Sequence, residues 1–374
     1  MYKIALKMLF RDKMKFITLV AALAFSTMLI TQQGSIFVGL LRLFSTPVRV
    51  TQVPVWVMDP ATKLIDVPSP MPDMYITEVR SIDDVEWAEP FLVSRQRVRL
   101  KSGDMKYVQL QGVDAGSLVG LPQKVVAGNL FDINLPDAVV IDNNELDLLG
   151  NPKIGDTFEI NDRRARVVAI VKMPRNAFSY PMIYTTYDRA KEYSPPERNL
   201  LSFILVQPNK GITDQELCDR IKKKTGLLAL THKQFYWKTI SWYMENTGIP
   251  VNFGISVMLG IIVGAAIASQ TFYTFTLENL RHLATLKAIG AKNSTLTKML
   301  FVQSGVVGML GYGIGLGITT VFGSTIPKFT VLAFYTPYQL LILAFLVVVG
   351  LCIFSSLFSI RRVVKVEPAI VFRG

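Results

Sequence analysis

Cysteine is nearly absent from this chain: two stand among 374 residues. Cys218 lies in a polar central region and Cys352 in an apolar stretch, so no disulfide framework is available and both are expected to be inert thiols. His232 is the one histidine of the central region. Metal sites usually recruit several ligands, so it is expected at the surface. The motifs G-x-S-x-G, H-E-x-x-H and C-x-x-C do not occur. Neither does G-x-x-x-x-G-K-[ST], so the usual phosphate cradle for ATP is missing. No pair of carboxylates has a spacing that singles it out, and Asp83 and Asp84 read as a solvated helix end. A membrane-anchored enzyme therefore finds no catalytic constellation here.

Charge is missing altogether from four stretches, residues 16–41, 251–277, 299–323 and 338–360. Each reaches the roughly 20 residues that a helix needs to cross a bilayer. Proton relays and ion sites at membrane depth need ionisable groups, so a proton- or ion-driven transporter does not fit. The polar residues in or near the spans, Gln32, Gln33, Gln270 and Gln303, are expected to make interhelical hydrogen bonds. A cleavable leader is the competing reading of the first stretch. Its 26 residues exceed the roughly 7–15 of an h-region and no A-x-A-like site follows, so a retained anchor is expected.

The formal charge of +12 sits largely beside these spans and requires no nucleic acid. Lys3, Lys7, Arg11, Lys13 and Lys15 precede the first span. Arg281, Lys287, Lys292 and Lys298 fall between the second and third, and Arg361, Arg362, Lys365 and Arg373 follow the fourth; the connection 324–337 holds only Lys328. The positive-inside rule makes both termini and the 278–298 loop cytoplasmic. Residues 1–15 then form a cytoplasmic amphipathic segment, with Ile4, Leu6, Met8, Leu9 and Phe10 among the lysines. Residues 324–337 form a short external loop, and 361–374 a cytoplasmic tail.

Between the first two spans, residues 42–250 read as an α+β extracytoplasmic domain. A helix is expected over 76–85, then a hairpin of 91–100 and 105–113 turning at Lys101-Ser102-Gly103-Asp104. Short strands follow at 138–141, 157–160 and 165–171, punctuated by Gly150-Asn151-Pro152 and Gly155-Asp156. A charged helix over 213–224 opens on a Thr213/Glu216 capping box. Pro174, Pro181, Pro195 and Pro196 mark loops.

Inside the membrane, Gly260 and Gly264 in the second span and Gly311, Gly313, Gly315 and Gly317 in the third make small-x-x-x-small spacings. Such glycines let backbones approach, so these spans are expected to pack against each other or a second copy. In the 278–298 loop, Leu280, Leu283 and Leu286 are three apart and the helix ends at Gly290. This apolar stripe, edged by Arg281 and Lys287, suits docking into a groove on another protein.

Residues 278–296, ENLRHLATLKAIGAKNSTL, resemble the coupling segment of the MacB/FtsX-type ABC transporter permeases, whose signature runs approximately R-E-I-G-x-x-(K/R)-A-(I/L/M)-G-A. The matching residues are Arg281, Leu283, Lys287, Ala288, Ile289, Gly290 and Ala291. The run Val366-Glu367-Pro368-Ala369-Ile370-Val371-Phe372-Arg373 is similar to the family's terminal P-x-E-A-L-R tail. Residues 82–90, Gln111-Gly112-Val113-Asp114, Gly128-Asn129-Leu130 and Ile154-Gly155-Asp156 follow the order of its extracytoplasmic region. His282 departs from the pattern, standing where many members have Glu. The wording of 284–290 looks closest to the DevC/HrtB-like branch without a fused ATPase domain, which the resemblance associates with glycolipid or haem export.

The resemblance implies four transmembrane helices with a large extracytoplasmic domain between the first and second, in a bacterial cytoplasmic (inner) membrane. It implies a homodimer working with two copies of a separate ATPase that binds ATP and Mg2+, this chain holding no cofactor of its own. ATPase coupling would fall to Glu278, Arg281, His282, Leu283, Leu286, Lys287, Ala288, Gly290 and Ala291. An amphiphile such as a lipid, glycolipid, haem or drug-like molecule would be exported by mechanotransmission, with membrane lipids around it and a periplasmic adaptor and outer-membrane channel as further partners. The alternative is an FtsX-like relay that transports nothing and transmits ATPase motion to an extracytoplasmic partner.

Overall fold

A computed structural model describes residues 2–174, 180–195, 201–329 and 332–364. The chain divides into two units, one of residues 1–40 with 248–374 and one of residues 41–247. Helix α1 (Tyr2–Arg11) breaks at Asp12, and α2 (Lys13–Phe44) starts at once. Asp12 supplies the cap, its Oδ1 accepting from the Lys15 amide at 3.2 Å. The expected 1–15 segment thus ends four residues early, because an N-cap aspartate outweighs the lysines around it. The uncharged stretch 16–41 falls inside the 32-residue α2.

In residues 41–247, α3 (Thr46–Thr51) precedes β1 (Val55–Met58), α4 (Met74–Arg80), β2 (Val85–Arg99) and β3 (Met105–Val113). Then come β4 (Val125–Gly128), β5 (Ala138–Asp142), β6 (Thr157–Ile160), β7 (Arg163–Val171), β8 (Met182–Thr186), α5 (Tyr187–Glu192), β9 (Phe203–Pro208), α6 (Asp214–Thr225), β10 (Leu228–Thr231) and α7 (His232–Asn246). The sheet order is β10-β1-β9-β2-β3-β8-β5-β7-β4, with β6 against β2 and β7. Two pairings, β3/β8 and β5/β7, are parallel, so the sheet is mixed.

The 15-residue β2 joins two halves of this sheet. Its first part pairs with β9 and its second, from Leu92 to Arg99, with β3. Strand β1 (Val-Trp-Val-Met) is apolar throughout because both of its faces are covered. Val55 and Val57 pack with Leu217 and Ile221 of α6. Trp56 turns to the other face, where rings of Phe203 and Phe235 lie 5.5 and 5.2 Å away.

The hairpin closes as its turn residues dictate, with Arg99 opposite Met105 and Gly103 at φ +88°. The capping box on α6 is present: the Glu216 amide donates to Thr213 Oγ1 at 3.3 Å and the Thr213 amide to Glu216 Oε2 at 3.0 Å. The expected helix 76–85 is instead Met74–Arg80, and β2 begins at Val85 rather than Phe91. Glu86, Glu89 and Pro90 interrupt the alternation there, yet a register shift between Val85 and Trp87 keeps the pairing with β9.

The remaining helices are α8 (Ile249–Glu278), α9 (Leu280–Ala288), α10 (Asn293–Phe329) and α11 (Tyr338–Val364). Among the described residues four helices are long and apolar enough to cross a membrane: Lys13–Phe44, Ile249–Glu278, Asn293–Ile326 and Tyr338–Leu357. Leu19 and Leu23 of α2, Ala268, Phe272 and Phe275 of α8, Val307 of α10 and Val348 and Leu351 of α11 form their common core. Ile255, Met258, Leu259 and Ile262 stay exposed, as befits side chains solvated by lipid. Helix α10 runs to Phe329, so the expected 324–337 loop is shorter at its start. Residues 365–374, with the family-like tail, and Pro196 lie outside the described residues.

Candidate functional site

The loop after α8 is a helical hairpin. Asn279 closes α8, its Nδ2 donating to the Phe275 carbonyl at 2.9 Å, and α9 follows directly. Helix α9 stops because Gly290 takes φ +103°. That conformation lets the Ala291 amide reach back to the Leu286 carbonyl at 3.0 Å, a Schellman closure that a side chain at 290 would strain. Helix α10 then begins two residues later, at Asn293.

The apolar stripe of α9 turns partly inward, with Leu283 buried and Leu280 and Leu286 half-buried. Leu283 is 3% exposed and Ala284 fully buried, packed with Ala5 of α1 and Leu296, Met299 and Leu300 of α10. Leu286 and Ala291 are partly buried against the same cluster. Gln303 Nε2 donates to the Ala5 carbonyl at 2.8 Å, the interhelical role expected of that glutamine. Helix α1 supplies part of the cover, so Leu283 has no free face to offer a partner, whereas Leu286 keeps part of its surface exposed. Of the expected coupling side chains, Glu278, Arg281, His282 and Ala288 are exposed, and so, at the tip beside Gly290, is Ile289. Ile289 is 79% exposed and was not among the coupling residues expected from the stripe. It lies one residue beyond the end of α9 and continues the 280, 283, 286 spacing by one more step of three.

Polar contacts tie this loop to the α1–α2 junction. Lys15 pairs with Glu278 and, at 2.8 Å, with Asp12, whose carboxyl is held below its ordinary range by that hydrogen bond. Arg11 Nη1 lies 3.0 Å from His282 Nε2. The guanidinium can only donate, so the imidazole accepts at Nε2. A carboxylate at 282 would have met the same cation.

The glycines divide sharply. A Cβ on Gly264 would lie 2.6 Å from Ser26 Cβ, and one on Gly260 would lie 3.0 Å from Leu29 Cβ. Ser26 Oγ donates to the Gly260 carbonyl at 3.0 Å. On α10, a Cβ at Gly311 would meet Leu23 Cβ at 2.6 Å, and one at Gly315 would meet Thr27 Cβ at 2.7 Å. All four therefore seat α8 and α10 against α2 of the same chain, not against each other. Gly313 and Gly317 face away, with nothing within 4 Å.

In the sheet domain the family-like motifs build turns. Asp114 Oδ2 accepts from the Gly116 and Ser117 amides at 2.9 and 2.8 Å, and Asp156 Oδ2 from the Lys153 amide at 2.8 Å. Gly128, at φ +84°, presses on the Val168 carbonyl, where a Cβ has no room. Burial pushes the Cys218 thiol up to about 12, which makes it inert at neutral pH. His232 is half-buried rather than at the surface; burial lowers its pKa and leaves Nδ1 without a partner. Among the described residues no group of three metal-ligating side chains occurs.

Four membrane-crossing helices with a mixed-sheet domain between the first and second define a multi-pass membrane protein with a periplasmic-type domain. Residues 16–224 match the family model of the MacB-like periplasmic core domain, more than half of the chain, and residues 253–368 match that of the FtsX-like permease C-terminal region. The chain belongs to the MacB/FtsX-type ABC transporter permease family. It is 28% identical over 240 residues to an uncharacterized ABC transporter permease of Methanocaldococcus jannaschii, covering 59% of this chain and 58% of that one. It is 24% identical over 150 residues to the putative hemin transport system permease protein HrtB of Staphylococcus haemolyticus, covering 40% and 41%. These matches span less than two thirds of each relative's length. Among solved structures, the periplasmic region of MacB from Actinobacillus actinomycetemcomitans is 14% identical with TM-score 0.39, covering 53% of this chain and 95% of that one. The extracellular domain of the noncanonic ABC-type transporter YknZ from Gram-positive bacteria is 16% identical with TM-score 0.35, covering 48% and 98%.

Proposed function

We propose that this chain is the membrane subunit of a transporter driven by a separate ATPase, two copies of each forming the complex, and that the ATPase seats on the tip of the α9–α10 hairpin. The observation that carries this reading is Ile289, a large apolar side chain left 79% exposed on a turn that Gly290 and the buried Leu283 hold rigid. A rigid turn transmits force, whereas an exposed isoleucine on it gains from being covered. Basic residues beside the spans support a reading with this hairpin and both termini on the cytoplasmic side of a bacterial inner membrane. ATP closure on the partner would push the hairpin and α1 together, and the helices would move as levers on the sheet domain. The cargo class is an amphiphile; the permease HrtB, described as a putative hemin transporter, makes haem one member of it. A periplasmic adaptor and outer-membrane channel would complete an export route.

The test is co-purification of the ATPase with Ile289→Asp and with Arg281→Ala. A buried, unpaired carboxylate is costly, so Ile289→Asp sheds the ATPase at least tenfold while membrane levels stay normal. Arg281→Ala changes mainly the salt dependence. Wild-type recovery of the ATPase with Ile289→Asp contradicts this docking site.

A further inference from the structure

We infer that the outward arc of α1 binds anionic phospholipid headgroups, beside the point where α2 enters the membrane. The helix has a divided surface. Ala5 and Leu9 are fully buried in the membrane unit. Lys3, Lys7 and Arg11 recur every four residues and so share one stripe, and all three are exposed. Exposed Ile4 and Phe10 flank that stripe, at 43% and 47%. Past the break at Asp12, Lys13, Met14 and Ile17 remain exposed on the first turns of α2, Met14 at 74% and Ile17 at 58%.

Cations bordered by bulky apolar side chains suit neither plain water nor plain hydrocarbon. They suit the boundary between headgroups and acyl chains, where the apolar edges enter the bilayer and the amines stay among the phosphates. Geometry puts the stripe at that boundary. A single residue separates α1 from the membrane-crossing α2, and Phe10 rests edge-on against Phe16 with ring centroids 4.8 Å apart.

The charge is also available. Asp12 is the one acid among residues 1–17, and Lys15 holds it. Among the described residues Lys3, Lys7 and Lys13 make no ion pair. Arg11 uses one nitrogen on His282 and keeps other donors for a phosphate. The inference rests on α2 crossing the membrane and does not depend on which protein seats on Ile289.

The experiment uses the full chain reconstituted in equimolar phosphatidylcholine and phosphatidylglycerol, then extracted gently, with the retained lipid quantified by mass spectrometry. The wild type retains phosphatidylglycerol in excess over the bulk. Lys3→Gln/Lys7→Gln lowers that preference by roughly fivefold for each cation removed at low salt, and raised salt lowers it in the wild type as well. Lys222→Gln/Lys223→Gln on α6, in the other unit, leaves it unchanged. Both α1 positions are exposed and unpaired, so the double variant keeps its melting temperature. The inference is overturned if the wild type retains the two lipids in bulk proportion, or if the double variant keeps the full preference. It is equally overturned if that variant keeps the lipid but sheds an ATPase, which would make the stripe a protein-docking surface.

Discussion

Gly315 and Gly317 are two residues apart on one helix, and adding a single methyl group to each should have opposite effects. At Gly315 the methyl would lie 2.7 Å from Thr27 Cβ, and closer still to the Ala24 carbonyl oxygen. Ordinary contact begins at 3.4 Å, so α10 must retreat from α2 by 0.7 Å or more. The obstruction includes backbone and cannot swing aside. A gap of that size forfeits roughly a quarter to a half of each dispersion contact along the seam, and overpacking of this kind costs about 1–3 kcal/mol. The gain in helix propensity, about 1 kcal/mol, offsets only part. Gly315→Ala should therefore destabilise by up to about 2 kcal/mol. Gly317→Ala, with nothing within 4 Å, should be neutral or stabilising by up to about 1 kcal/mol. Each unit contains one of the two cysteines, and both are buried. In a Cys218→Ala background, thermal scanning with a thiol-reactive dye reads Cys352 and hence the membrane unit alone. Equal melting temperatures for the two alanine variants would refute the seam.

Replacing both Gly260 and Gly264 with Leu should disrupt the membrane unit itself, since each added side chain strikes α2 of the same chain; membrane levels on a blot should fall severalfold, and normal levels with only a lost dimer would contradict this. His232 gives a pH effect of definite sign. Its folded pKa lies below the ordinary 6.5, so the stability it contributes is present above pH 6.5 and is lost as the pH falls through the folded value. All four tryptophans, Trp56, Trp87, Trp237 and Trp242, belong to the sheet domain, so their fluorescence reports its melting. His232→Gln should remove this part of the acid sensitivity, and an unchanged pH profile would refute the assignment.

The membrane helices were legible because an uncharged run of some 20 residues has few other uses. The hairpin turn and the Thr213 cap were legible because Gly103 and the Thr213/Glu216 pair act through neighbours in sequence. Contacts distant in sequence were not. Leu283 and Leu286 announce an apolar face, but only the return of α1 determines that part of this face is covered from within. Gly264 and Gly315 announce a close approach and do not say to which helix. Strand β1, covered on both sides, has no alternation to mark it as a strand. Ile289 continues the 280, 283, 286 spacing and matches the family signature, yet its exposure follows from Gly290 ending the helix beside it.

The proposed function makes this permease one half of an ATP-driven machine whose motor is a different chain. Native mass spectrometry of the complex drawn from its own membrane, with ATP hydrolysis measured before and after the partner is stripped, tests this directly. Two copies of this chain with two of an ABC ATPase, and hydrolysis that disappears with the partner, are the expected result. Hydrolysis by the stripped chain alone, or a chain that carries no ATPase from its native membrane, would contradict it.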